Sequence, residues 1–443
     1  MATNRQAAAS SPWRAPIVLA ILAVLFLLEG TVRNAMFSGS WNTALAILNM
    51  GLISAIVALG VNMQWGYAGL FNVGVVGFLA LGGLAPVLVS LPPVEGAWEA
   101  GGPRLILSLL VGLGVLAAAS LVWRRWRKGW AVALVLIAGF FLFRHLFDPA
   151  VAAIEANNPA RHGNIGGLGL PVLVSWLVGG LFAAAAAWAI GKVALGLRSD
   201  YLAIATLGIG EIIVAVLRNE EWLARGVMNV TSIPRPVAYE IDLQRNPDFV
   251  AFAQGWGLPV AEASGIWVKL SYMSLFLVVL LVIILLAELA LKSPWGRMMR
   301  AIRDNETAAG AMGKNVTGRH LQVFILGSAV IGIAGAMMVT LDGLLAPTSY
   351  NPLRYTFLIW VMVIVGGSGN NWGAVLGAVL IWFLWIKAEV WGPALIALLT
   401  GPMADGPLKA HLLESAPHMR FIAMGAVLLL VLRFAPRGLV PER

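Results

Sequence analysis

Five ionisable residues lie within or beside long apolar stretches of this sequence: Glu29, Glu211, Glu288, Lys387 and Glu389. An isolated charge in hydrocarbon costs about 3 kcal/mol or more, so each is a candidate for transport chemistry unless a partner neutralises it. Glu211 stands out. It follows Thr206 and the Gly208/Gly210 pair, which is expected to loosen a helix near mid-membrane. It lies in a transport path, bonds a neighbouring helix as a structural carboxylate, or faces a water-filled cavity. Glu29, Glu288 and Lys387 fall near the ends of apolar runs, where long side chains reach the interface. The amides Asn49, Asn62, Gln64 and Asn72 come early in the chain. Such groups either line a path or bridge helices by hydrogen bonds. Asn62, Gln64, Asn72 and Glu211 are the translocation-path candidates.

Other chemistries find little support. The sequence has no cysteine, which excludes disulfides, thiol catalysis and thiolate metal sites. Histidines 145, 162, 320, 411 and 418 form no i,i+4 ligand pair, so no metal site is expected. No GxxxxGK[S/T] segment is present, so this chain does not hydrolyse nucleotide by a P-loop. The glycine-rich run at 366–369 lacks the following Lys-Ser/Thr and reads as a turn between helices. Gly208 and Gly210 do not complete a dinucleotide fingerprint, and no Ser-His-Asp or paired-carboxylate set stands out. No catalytic residue and no bound cofactor are expected.

What must position the candidates is a bundle of spanning helices. Of 443 residues, 60% are hydrophobic and 12% charged, with a mean hydropathy of +0.85. A soluble domain carries roughly a quarter charged residues, so an all-α polytopic integral membrane protein is expected. The 49 glycines suit close helix packing in lipid. The formal charge of +9 is dispersed among loops, which argues against nucleic acid as a partner. The 18 tryptophans read as interface anchors.

Apolar runs at 15–28, 43–61, 67–91, 105–123, 130–146, 171–190, 201–217, 272–291, 321–341 and 421–434 are expected spans. The first lacks a small-residue cleavage site and reads as an uncleaved span rather than a signal peptide. Residues 62–67 read as a short connector. The run 355–365 is half a span, broken at 366–373 and resumed at 374–386, either as two spans or as a re-entrant pair. That leaves about ten to twelve spans. Residues 391–417 read as an external segment. Residues 219–269 form a long extramembrane loop with prolines and mixed charge. The basic runs 124–128, 192–198, 292–319 and 433–443 all fall on one side when the chain starts inside and alternates. The positive-inside rule makes that side cytoplasmic. The tails 1–14 and 435–443 are then cytoplasmic, and loops 91–103, 148–170 and 219–269 external, in a bacterial inner membrane. The transmembrane domain covers 15–434.

Residues 292–320 are the longest charged stretch. Lys292, Arg297, Arg300, Arg303, Lys314 and Arg319 face Asp304 and Glu306. Arg297, Arg300, Asp304 and Ala308 recur at helical spacing, as do Met298, Ala301, Asn305, Ala309 and Met312. Pro294 suits a helix start and Gly313 a stop. Two readings stand: a short cytoplasmic helix by which a cytosolic partner could move the membrane part, or an ordinary solvated loop.

Four blocks carry a family resemblance. They are GVNMQWGYAGLFNVGVVGFLALGG at 60–83, LRSDYLAIATLGIGEII at 197–213, SPWGRMMRAIRDNETAAGAMGKNVTGRHLQVFILGSAVIGIAGAM at 293–337, and VGGSGNNWGAVLGA at 365–378 with the tail LRFAPRGLV at 432–440. In this order they resemble the longer of the two permease subunits of ABC importers for branched-chain amino acids. The resemblance implies the ABC-importer permease fold. It also implies that residues 292–320 are the coupling loop, with a helix that docks into an ATPase subunit. Thr307, Ala308, Ala309 and Gly313 match the family's Glu-Ala-Ala-x-x-x-Gly spacing, with Thr at the first position and the acid one residue earlier at Glu306. The coupling residues implied are Arg303, Asp304, Asn305, Glu306, Thr307, Ala308, Ala309 and Gly313. The implied partners are two ATPase subunits carrying ATP and Mg, a second homologous permease, a periplasmic binding protein that residues 219–269 could contact, and membrane lipid. The family also serves urea and short amides. A gradient-driven transporter or channel with Glu211 as its ion site is the alternative of another class, and a membrane scaffold a third.

Overall fold

The computed structural model describes residues 13–34, 36–158, 163–403 and 406–442. Most of the N-terminal tail and His162 lie outside the described residues. The apolar runs become helices α1 (Arg14–Thr31), α2 (Trp41–Asn62), α3 (Val75–Ser90), α4 (Glu95–Trp126), α5 (Gly129–Glu155), α6 (Val172–Ala194) and α7 (Ser199–Asn219). Short helices α8 (Glu221–Ala224), α9 (Glu240–Arg245) and α10 (Pro247–Gly255) follow, then α11 (Val260–Lys292). The charged stretch holds α12 (Pro294–Asp304) and α13 (Glu306–Ala311). The chain ends with α14 (Val316–Asp342), α15 (Leu358–Gly366), α16 (Asn371–Thr400), α17 (Pro407–Ser415) and α18 (Met419–Phe434). Among the described residues, ten segments are long and apolar enough to cross a membrane, and Val75–Ser90 and Leu353–Gly366 are shorter apolar helices. The chain is an all-α polytopic membrane protein. Among the described residues one small sheet pairs β1 (Val230–Thr231) antiparallel with β2 (Leu344–Leu345), Val230 opposite Leu345.

The bundle is organised around α2. Its apolar window is 83% buried, against 17% for α4 and 11% for α5. α14, α16, α11 and α15 surround it, and α3 packs between α14 and α6. The packing is close enough to be backbone to backbone. A Cβ at Gly82 of α3 would lie 2.0 Å from the Gly332 carbonyl oxygen of α14, and one at Gly332 would lie 2.4 Å from the Gly179 carbonyl oxygen of α6. α4 and α5 pair chiefly with each other as a peripheral hairpin, and their Leu, Phe and Trp side chains point outward.

Several boundaries differ from the sequence reading. Residues 62–67 are not a connector: α2 continues through the π-helical turn Met63–Tyr67, buried within the bundle. The third span therefore starts at Val75 and is short. Residues 95–103 and 148–155 are helical, because α4 begins at Glu95 and α5 runs on to Glu155. The long loop 219–269 is folded. Asn246 caps α10 by accepting from the Asp248 amide, and Phe249 and Ala253 bury against Ala263 of α11. Residues 391–400 do not form a separate segment, since α16 passes through Pro393 to Thr400. Proline costs one helix hydrogen bond, but in an apolar stretch leaving the helix would expose many more. α7 is unbroken at Gly208 and Gly210, and Gly210 instead lets Gly74 approach, with a Cβ only 3.1 Å from its Cα.

Candidate functional site

The charged stretch folds as an elbow rather than one helix. Ser293 caps α12 through the Gly296 amide, and Pro294 takes its first turn. Gly296, Met299 and Ile302 form the buried stripe of α12 at i, i+3, i+6. Asn305 then breaks the helix. Its extended backbone ends α12, and its side chain restarts the chain as α13 by accepting from the Ala308 amide at 2.9 Å. Gly313 closes α13 with φ of +74°. The Lys314 amide reaches the Ala309 carbonyl at 3.1 Å and the Gly313 amide the Gly310 carbonyl at 2.9 Å, a two-bond stop that favours glycine. Asn315 caps α14 through the Gly318 amide.

This elbow presents a defined face. Asp304, Asn305, Glu306, Thr307, Ala308 and Gly313 are exposed, and Met312 is 80% exposed. Ala309 is not: it is buried at 8% exposure, so of the alanine pair only Ala308 is free for close approach from outside. Arg303 also turns inward. Its guanidinium Nη1 donates to the Gly66 carbonyl and to Glu442 Oε2, and Nε to Asp304. Burial works against its charge, but the Glu442 and Asp304 carboxylates outweigh that and raise its pKa.

Behind Arg303 lies a buried polar junction where the two interrupted helices meet. Asn62 donates to Asn371 Oδ1 at 3.2 Å and accepts the Gly369 amide at 2.8 Å. The Tyr67 hydroxyl also donates to Asn371 Oδ1, and Asn371 Nδ2 donates to Glu288 Oε1 at 2.9 Å. Gln64 donates to the Phe324 carbonyl and to Ser328 Oγ, each at 3.0 Å, and accepts from Asn72 Nδ2 at 2.8 Å. Asn72 Oδ1 in turn accepts the Gly74 amide at 2.9 Å, and Thr206 accepts the Val73 amide at 3.0 Å. The irregular backbone is thus bonded inside protein, as hydrocarbon requires. The C-terminal tail completes the junction. The Leu439 and Val440 amides donate to the Val365 and Gly366 carbonyls, and Asn370 donates to the Pro441 carbonyl.

Asn62, Gln64 and Asn72 are therefore brought together, fully buried, and bridge helices in this conformation. Glu211 is not with them. It is exposed on α7 and makes no hydrogen bond to the junction among the described residues. Glu29 and Lys387 do not reach an interface. They pair with each other at 2.6 Å, at 0% and 3% side-chain exposure, with Ser38 Oγ donating to Glu29 Oε1 at 2.7 Å. Lys387 sits well inside α16, and Glu29, two residues from the end of α1, turns inward to meet it. Sequence reasoning missed Asn371, Gly66 and Glu442, and gave Glu288 a place near a span end rather than its bond to Asn371. The amide pair at 370–371, directly after a glycine run between apolar helices, is the signal that could have found the first.

Residues 129–432 match the family described as branched-chain amino acid transport system / permease component. The chain belongs to that permease family. The match takes in α12, α13, Glu288 and Asn371, while Asn62, Gln64, Asn72 and Glu442 lie outside it. The chain is 26% identical over 267 residues to the high-affinity branched-chain amino acid transport system permease protein LivM of Escherichia coli (strain K12), covering 60% of this chain and 56% of that protein. A Salmonella typhimurium protein of the same description matches at 26% over 265 residues, covering 59% and 56%. A probable branched-chain amino acid transport permease protein LivM of Methanocaldococcus jannaschii matches at 24% over 400 residues, 88% of this chain and 90% of that one. The alignment thus spans little more than half the length of the two bacterial relatives. No solved structure matches significantly.

Proposed function

We propose that this chain is the membrane permease subunit of an ATP-driven importer of branched-chain amino acids, with ATP and Mg bound by two separate ATPase subunits. The carrying observation is the elbow itself. α13 stands exposed between α11 and α14, while Arg303 on the preceding α12 grips the Gly66 carbonyl at the base of α2. A push on α13 therefore reaches the junction of the interrupted helices across one residue, Asn305, whose side chain is held by the Ala308 amide. In this reading Glu306, Thr307, Ala308 and Met312 meet the ATPase, Arg303 carries its movement inward, and Asn62, Gln64 and Asn72 rearrange as the path opens. The elbow and both termini lie in the cytosol of a cell bounded by this inner membrane. A second homologous permease covers part of the exposed apolar surface, and a binding protein delivers substrate to the opposite end, near α8 to α10.

The test is purification of the tagged chain from its native membrane with mass spectrometry of what accompanies it. Recovery of a second permease and P-loop ATPases supports the reading. Recovery of the chain alone, still transporting in liposomes without ATP, overturns it.

A further inference from the structure

A cavity of about 450 Å³ opens at the end of α14 away from the elbow, between α2, α11 and the segment that leads to α15. Small-molecule sites span about 300–1,000 Å³, so its size suits a metabolite. α14 is 27 residues, so roughly 40 Å of helix separates this cavity from α13. Its wall carries both signs of charge. Asp342, exposed into the cavity at the last position of α14, accepts no hydrogen bond and makes no ion pair within 4 Å among the described residues. Arg354 lines the same space, near enough for its charge to act on Asp342 but with no carboxylate within 4 Å among the described residues. Its guanidinium is held between the rings of Tyr355 and Trp382, 5.1 and 5.3 Å from their centroids.

Two more observations point to a ligand. The buried Asn49 Oδ1 and Arg354 Nε, both from residues lining the cavity, have no hydrogen-bond partner, while the unpaired Tyr350 hydroxyl lies against Gly83 of α3. Asn49 is fully buried, so its unmet oxygen is unfavourable unless something occupies the space. Meanwhile Met50, Met338, Val339 and Leu341 supply an apolar wall. Lys269 Nζ is already taken by Asn42 Oδ1 at 2.8 Å and adds only a fixed positive charge at the rim.

We propose that this cavity is a binding station for a free α-amino acid with an apolar side chain. Arg354 takes its carboxylate, Asp342 its ammonium group, and the methionine-lined wall its side chain. The assignment deepens the importer reading and rests on it for the direction of transit: the station is where substrate enters the permease before the junction near Arg303 opens.

The experiment uses the full chain in lipid nanodiscs and saturation-transfer NMR with three probes: L-leucine, isoamylamine, which lacks the carboxylate, and 4-methylpentanoate, which lacks the ammonium group. Leucine should give a signal at millimolar concentration, with affinity about tenfold above either single-charge analogue, the loss expected for one charge-assisted hydrogen bond. Asp342→Asn and Arg354→Gln should each reduce leucine affinity about tenfold. Ala46→Trp, at an exposed position on the same cavity, keeps the charges but fills the space and should abolish the signal. No leucine signal in the wild-type chain, equal binding of 4-methylpentanoate, or equal signals in all variants overturns the station. Uptake by the whole importer separates the two claims. Binding without ATP-dependent uptake leaves the station and removes the importer, whereas ATP-dependent uptake without binding here does the reverse.

Discussion

Arg303 on α12 and Gly66 in the π-helical turn below α2 are joined by a guanidinium–carbonyl hydrogen bond across 237 positions of sequence. Glu442 shares the same guanidinium nitrogen at 2.9 Å. The surface ion pair is worth little by itself, about 0–1 kcal/mol. The bond to Gly66 matters more, because it fastens the amphipathic helix α12 to the place where two membrane helices are broken.

If that bond carries movement, Arg303→Ala should separate ATP hydrolysis from transport. We expect the ATPase to remain bound and active while substrate moved per ATP falls about tenfold, on the scale of a lost hydrogen bond to a charged group. Parallel measurement of phosphate release and uptake in proteoliposomes checks this. An unchanged ratio would return Arg303 to a packing role.

The exposed and buried alanines of α13 should respond differently. Ala308→Trp leaves the fold intact and blocks close approach, so ATPase subunits should be lost on co-purification. Ala309→Arg instead forces a charge into a buried position, and should lower thermal stability before any effect on partners is considered. Equal melting temperatures for the two variants would count against the observed orientation of α13.

Glu29 and Lys387 form a buried pair, so removing one member should cost far more than replacing both. Glu29→Ala is expected to destabilise by about 3–5 kcal/mol, while Glu29→Met with Lys387→Met should be near neutral. A double-mutant cycle on the thermal unfolding of the purified chain reads the difference. Additive losses would contradict a direct pair.

Asn371 serves Asn62, Tyr67 and Glu288 at once. Asn371→Ala leaves these groups short of a partner and should destabilise by about 1–3 kcal/mol. Its effect should exceed that of Asn49→Ala, whose one bond goes to the Lys269 carbonyl. The same thermal assay ranks the two.

What was legible in the sequence was local. Pro294 and Gly313 mark the ends of the elbow because helix starts and stops depend on one or two residues, and the structure uses both. The break at Asn305 obeys the same rules, an N-cap followed by the acidic Glu306, but helical spacing running through it hid the signal. Hydropathy found the spans and misplaced their ends, since α4 starts in a polar stretch at Glu95 and α16 ignores Pro393. What could not be read was pairing at a distance. Nothing near Glu29 announces Lys387, and nothing near Gly66 announces Arg303, because such partners are chosen by how helices pack. The face that Glu211 occupies was hidden for the same reason: only the packing of α7 shows that it is exposed and away from the junction.

If ATP bound elsewhere drives amino acids through this chain by way of α13, uptake of radiolabelled leucine by the reconstituted importer, with binding protein outside and ATP inside, should separate wild type from Ala308→Trp. ATP-dependent accumulation is expected in the first and none in the second. Equal accumulation in both, or accumulation without ATP, would rule out coupling through α13.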